Sequence, residues 1–107
     1  MQTASTPFQK GKNMNITQKD DGKHGGFYGE ENGQAAGEMT YTWAGDTMFI
    51  IDHTDVDEAF KGQGVGRKLV DAAVAFAREK ELKVLPLCPF AKSVFDKDES
   101  IRDVLRG

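Results

Sequence analysis

The chain has one cysteine, Cys88, and that excludes an intramolecular disulfide. A lone thiol fits a reducing compartment, so a cytoplasmic location is expected. The two histidines, His24 and His53, stand far apart and far from Cys88, so no metal-ligand spacing exists and no metal is expected. No apolar run approaches the length of a membrane span. There is no basic block and no ladder of aromatic residues, and the net charge of −3 is spread with both signs mixed. Neither a membrane nor a nucleic acid is therefore an expected partner. Internal repeats and low-complexity tracts are absent as well. Residues 1–13 have no acidic residue, no arginine and no apolar core of the kind a secretory signal needs. Met14, followed by Asn15-Ile16-Thr17, looks like a natural start, so residues 1–13 are expected to be a disordered extension or a tag. Residues 14–107 are enough for one domain with a modest core.

What is present is a pattern of four strands, a helix, a fifth strand and a short helix. Asn32-Gly33 predicts a tight hairpin between residues 26–31 and Gln34–Trp43. In the second of these, Ala35, Gly37, Met39, Tyr41 and Trp43 alternate onto one face. Gly45-Asp46 marks the next turn, and Met48-Phe49-Ile50-Ile51 begins a strand over 47–56 that is apolar on both faces, as a central strand should be. Val65, Leu69, Ala72, Ala73, Phe76 and Ala77 recur at helical spacing, with Arg67, Lys68, Asp71, Arg78 and Glu79 opposite. That stripe is core. The strand over 83–88 carries Pro86, which has no N–H for a ladder, so it should lie at an edge or diverge from its neighbour. Pro89 suits the first position of a helix continuing over 90–97, which makes Cys88 its N-cap.

Between the strand over 47–56 and the helix lies Lys61-Gly62-Gln63-Gly64-Val65-Gly66. A glycine turn feeding a helix N-terminus, expected near Arg67, offers free backbone N–H groups and the positive end of a dipole, which suits a phosphate or pyrophosphate. The P-loop pattern G-x-x-x-x-G-K-[ST] does not occur, and the dinucleotide pattern G-x-G-x-x-G fails at Arg67 and at Leu69. The acetyl-CoA loop [QR]-x-x-G-x-[GA] fits residues 61–66, with Lys61 in the place of Gln or Arg.

Three further stretches join it: His53-Thr54-Asp55-Val56, Leu87-Cys88-Pro89-Phe90-Ala91-Lys92-Ser93 and Ile101-Arg102-Asp103-Val104. In this order the chain resembles the small single-domain members of the GNAT acetyltransferase superfamily, with their H-T-x-V, G-Q-G-x-G and C-x-F-x-K signatures. The likeness is strong over about half the chain. It implies an α+β, minimal GNAT-like fold: a mostly antiparallel mixed sheet, a central helix after the fourth strand and a short C-terminal helix. It also implies acetyl-CoA as cosubstrate and an amine-bearing acceptor, with macromolecules among the candidates, on a monomer or weak dimer. Pantetheine would slot between the splayed strands on either side of the helix. Ile51, Asp52, His53, Thr54, Asp55 and Val56 would pair with its amides, and Lys61, Gly62, Gln63, Gly64, Val65, Gly66 and Arg67 would hold the pyrophosphate.

Chemistry of this type needs a base for the amine, a donor for the oxyanion and an acid for the departing thiolate. The family's usual acid is a Tyr on the last helix, but the comparable position here is Phe95. Cys88 is the replacement candidate, either as that acid or as a nucleophile that takes the acetyl group first, and its other reading is a small buried hydrophobe. His53 is the candidate base, with a structural hydrogen-bonder as the alternative. Asp55, Asp57 and Glu58 either attract a cationic amine or belong to a solvated loop. The resemblance leaves no room for the two helices that follow the first strand in longer members, so the acceptor side should be open. An acyl-CoA-binding module without catalysis, and more remotely a nucleotide-phosphate binder, are the other readings.

Overall fold

Asn32 and Gly33 both have positive φ, 52° and 82°, the geometry a two-residue hairpin turn demands and one that Asn and Gly tolerate best. Glu31 and Gln34 face each other across this turn, and the hairpin is as expected. The computed structural model describes residues 14–106; the extension expected over residues 1–13 lies outside them. Along the described chain run β1 (Met14–Asp20), β2 (His24–Glu31), β3 (Gln34–Trp43), β4 (Met48–Val56), α1 (Val65–Lys80), β5 (Lys83–Pro86) and α2 (Pro89–Lys97). Short 3₁₀ turns occupy Glu58–Phe60 and Glu99–Val104. The strands form one sheet in chain order, antiparallel from β1 to β4, with β5 joined parallel to β4. This is the expected α+β, mostly antiparallel mixed sheet.

The core lies on one face of that sheet. Phe27, Met39, Tyr41, Phe49 and Ile51 point into a cluster with Val65, Leu69, Ala73 and Ala77 of α1. Val70 and Val74, outside the expected stripe, are buried too. They are covered because the core includes a second flank of Val94, Phe95, Ile101 and Val104 from α2 and the last 3₁₀ turn. Gly37 lets α1 come close: a Cβ there would lie 3.0 Å from Val65 Cγ1 and 2.8 Å from the Asp55 carbonyl oxygen. Leu105 bridges Val84, and Arg106 N–H donates to the Val84 carbonyl, so the tail covers the outer edge of β5.

Two irregularities shift faces. Gly29 pairs with Gly37 while Glu30 pairs with Ala35, so Ala36 is an extra residue in β3. Ala36 is fully buried and Ala35 is exposed, which corrects the alternation expected at Ala35; Met39 and Tyr41 keep the core side. In β4, Thr40 pairs with His53 and Tyr41 with Ile51, leaving Asp52 as the extra residue.

Far from the glycine turn, the core side ends in a polar knot. Tyr41 Oη donates to Asp20 Oδ2 at 2.6 Å, Trp43 Nε1 donates to the same oxygen at 2.8 Å, and Gln18 Nε2 donates to Tyr41 Oη at 2.7 Å. Burial, reinforced by the Asp20 carboxylate, pushes the Tyr41 phenol up to about 12.

Candidate functional site

The ladder between β4 and β5 stops at Ile51 and Pro86. Proline ends it as expected, though β5 stops two residues short of the predicted 83–88. Leu87 and Cys88 amides then both donate to the Ile51 carbonyl, at 3.1 and 3.2 Å. Beyond that point the chain turns into α2, while β4 continues to Val56, still paired with β3. Among the described residues, 52–56 therefore have no neighbouring strand on their other edge. An unpaired stretch of strand backbone offers donors and acceptors to an extended ligand.

At one end of this free edge sits the glycine turn. Gly62 and Gly64 adopt positive φ, 82° and 77°, and a Cβ on either would meet nothing within 4 Å. Their requirement for glycine is conformational. Gly64 is the N-cap of α1, which begins at Val65 rather than near Arg67, and it provides no side-chain cap. The first amides of this 16-residue helix are thus left to solvent or to an anion. Gly66 is a glycine for another reason. Its Cβ would lie 2.6 Å from Phe90 Cζ, so the Phe90 ring rests directly on the helix start. Arg67 is held by Asp71 at 2.8 Å and by Asp98, so its charge is already answered. Ser100 and Arg67 together hold the Asp98 carboxyl down at about 2. Lys61 is exposed, with a loose ion pair to Glu58 at 3.7 Å.

Cys88 caps α2 at the other end of the gap, with Pro89 as the first helical residue. It is 5% exposed, and its thiol donates to Thr54 Oγ1 at 3.3 Å. That contact spans the opening between β4 and α2. Burial raises the thiol's pKa, but the Thr54 hydroxyl and the amides of Ala91, Phe90 and Thr54 outweigh it and bring the thiol below its ordinary value. The two large hydrophobic side chains exposed among the described residues, Leu87 (62%) and Phe90 (41%), flank Cys88.

His53 sits one residue before Thr54 and pairs with Thr40, so it points to the sheet face away from Cys88. It makes no side-chain hydrogen bond or ion pair among the described residues. Asp52 accepts from Thr42 Oγ1 at 2.6 Å, Asp55 is exposed, and Asp57 caps the first 3₁₀ turn by accepting from the Ala59 amide at 3.0 Å. Phe95, where a hydroxyl acid was sought, is 1% exposed and packs in the core. Among the described residues no group of three His, Cys, Asp or Glu is placed to hold a metal ion. Thr54 and Phe90 were not singled out beforehand for these roles. Their contacts join residues 34 and 24 apart in the chain, so only the H-T and C-P-F motifs themselves hinted at them.

A family model described as GCN5-related N-acetyl-transferase matches residues 26–104. A GCN5-like protein from Staphylococcus aureus is 40% identical, with 89% of this chain and 90% of that one superposing at a TM-score of 0.69. A GNAT-family acetyltransferase from Elizabethkingia anophelis, solved with acetyl-CoA bound, superposes over 69% of this chain and 64% of its own at a TM-score of 0.61; at 16% identity this is likeness of fold alone. Protein NATD1 from Xenopus tropicalis is 34% identical over 50 residues. That stretch is 47% of this chain and 46% of the frog protein, so the chain spans about half the length of the NATD1 relatives it matches.

Proposed function

Because this chain belongs to the GCN5-related N-acetyltransferase family, we propose that it transfers an acetyl group from acetyl-CoA to a primary amine. The observation that carries the reading is the free edge of β4 over residues 52–56, lying between the open N-terminus of α1 and the Cys88 cap of α2. The residues fit the cosubstrate. Amides at Gly62, Gly64, Val65 and Gly66 suit the pyrophosphate, and the exposed backbone of residues 52–56 suits the pantetheine amides. Leu87 and Phe90 give the arm an apolar flank.

The role of Cys88 takes one of two forms. In direct transfer, the neutral amine nitrogen bonds the acetyl carbon, the carbon–sulfur bond breaks, and the leaving thiolate takes the Cys88 proton. In the two-step route the Cys88 thiolate bonds the acetyl carbon and the carbon–sulfur bond to CoA breaks, releasing CoA thiolate; the neutral amine then bonds the acetyl carbon, the bond to Cys88 breaks to restore its thiolate, and the proton lost from nitrogen balances the one CoA takes up from water. A thiol below its ordinary value serves either route, as a readier proton donor or as a larger thiolate fraction. In both routes the nitrogen sheds one proton as the amide forms; His53, on the sheet face away from Cys88, is the base this reading assigns to it. A binding module without catalysis is the second reading, favoured by the burial of Phe95 and its lack of a hydroxyl.

Release of free CoA thiol in the presence of a panel of amines separates the two. Amine-dependent release that is lost in Cys88→Ala, with acetyl-CoA binding retained, supports transfer. Binding without release from any amine sinks it.

A further inference from the structure

Among the described residues the helices all pack on one side of the sheet, and none covers the other. Its outward side chains line up across the strands through the register: Thr17 beside Tyr28, Tyr28 beside Glu38, Glu38 beside Asp55. This row crosses from β1 to β4 and ends at the free edge described above. An open cavity of about 350 Å³ lies along it, lined by Thr17, Lys19, Tyr28, Glu30, Glu38 and Asp55 among others. Glu30, Glu38 and Asp55 form no ion pair and no side-chain hydrogen bond among the described residues. Glu30, Glu38 and Asp55 outnumber Lys19, the one cation among the residues lining the cavity, so this face carries net negative charge and favours a further cation.

The face already seats one ammonium group. Lys19 Nζ stands 5.6 Å from the centroid of the Tyr28 ring. That ring lies flat over Gly26, where a Cβ would come within 2.6 Å of Tyr28 Oη. An aromatic face with carboxylates around it is a favourable surrounding for an amine cation. A second copy of this chain, bringing the same carboxylates, would be repelled.

We propose that this face docks the acceptor as an extended basic peptide, with its reacting amine at the β4 end and further Lys or Arg residues over Glu38 and Glu30. The inference rests on the acetyl-transfer reading and names the substrate class. From β1 to β4 is three strand spacings, about 14 Å, which an extended peptide covers in about four to five residues. The basic residues that anchor the peptide should therefore lie within roughly that distance of the acetylated amine. A small free amine would use only the β4 end of the row.

The test is a titration of the ¹⁵N-labelled full chain, in the presence of CoA, with a seven-residue peptide carrying four lysines. The same peptide with three of those lysines replaced by glutamine is the comparison, and Glu30→Lys/Glu38→Lys the variant. These positions are exposed or half-buried on the outward face, so the variant should keep the native spectrum and its CoA affinity. The expected result is shifts centred on the amides of Thr17, Tyr28, Glu38 and Asp55, weakened by salt and at least tenfold weaker in affinity for the variant or the glutamine peptide. Shifts elsewhere, equal affinity for both peptides, or an unaffected variant would overturn it. Because CoA binding is followed separately in each titration, failure of the cosubstrate site registers as a different result from failure of this face. Concentration-dependent shifts at the same amides without peptide would assign the face to self-association instead and overturn it too.

Discussion

Replacing Gly64 with alanine should weaken the fold and the proposed anion site by separable amounts. Gly64 has a φ of 77°, and a left-handed conformation costs an L-residue about 1–2 kcal/mol. A Cβ at Gly64 would touch nothing within 4 Å, so packing neither adds to that cost nor offsets it. Alanine also narrows the unfolded ensemble, which returns about 0.4–1 kcal/mol. The net loss is about 1 kcal/mol, or a fall in Tm of about 4–8 °C for a domain near this size. Gly64→Asn should lose less, because asparagine tolerates the left-handed region. Under the proposed function, Gly64→Ala also moves one amide off the pyrophosphate. A hydrogen bond to a charged group is worth about 1.5–3 kcal/mol, so acetyl-CoA affinity should fall roughly 10- to 150-fold. Differential scanning calorimetry reads the first number and isothermal titration the second. Equal melting of Gly64→Ala, Gly64→Asn and the parent would refute the backbone argument. Unchanged affinity in a variant that does melt lower would refute the anion site while leaving the turn intact.

Three other outcomes follow from the same contacts. Thr54→Val keeps the shape of the side chain but removes the hydroxyl that stabilises the Cys88 thiolate, so the pH profile of iodoacetamide alkylation should move to higher pH, and Thr54→Ser should restore it. Tyr41→Phe removes the bond to Asp20 and leaves Gln18 Nε2 without its acceptor; urea unfolding should show a loss of about 1–2 kcal/mol, and no loss would mean that the knot is not stabilising. The Asp98 carboxyl, held at about 2 by Ser100 and Arg67, is depressed below its unfolded value of about 3.9. Its contribution is present above the unfolded value and fades as pH falls through the folded one, so Asp98→Asn should flatten the acid limb of stability between about pH 4 and 2. An acid limb unchanged in Asp98→Asn would assign that sensitivity to other carboxylates.

Local signals carried much of the fold because local chemistry decides those features. Asn32-Gly33 demands its turn, Pro86 ends its ladder, and Pro89 opens its helix with Cys88 as cap. The glycine turn was legible for the same reason, since positive φ at Gly62 and Gly64 is a backbone demand. The bulges at Ala36 and Asp52 were not, because an inserted residue leaves a period-two pattern ambiguous until the partner strand sets the register. That ambiguity matters most at His53 and Thr54. The register after the Asp52 bulge sends Thr54 to Cys88 and His53 to the other face, so Cys88 and His53, grouped as catalytic from the sequence, end on opposite sides of β4. Arg67 looked available to an anion, yet Asp71 and Asp98, the latter 31 residues away, engage it. Long-range pairing of this sort has no signature in spacing.

The most direct test of the central claim is calorimetric titration of the chain with acetyl-CoA, followed by intact mass on the same sample. Saturable one-site binding, weakened in Gly64→Ala, is predicted, with one acetyl group retained on Cys88 if the two-step route operates. No heat of binding and no mass change at saturating acetyl-CoA would contradict the account, and the glycine turn would then be a helix start and nothing more.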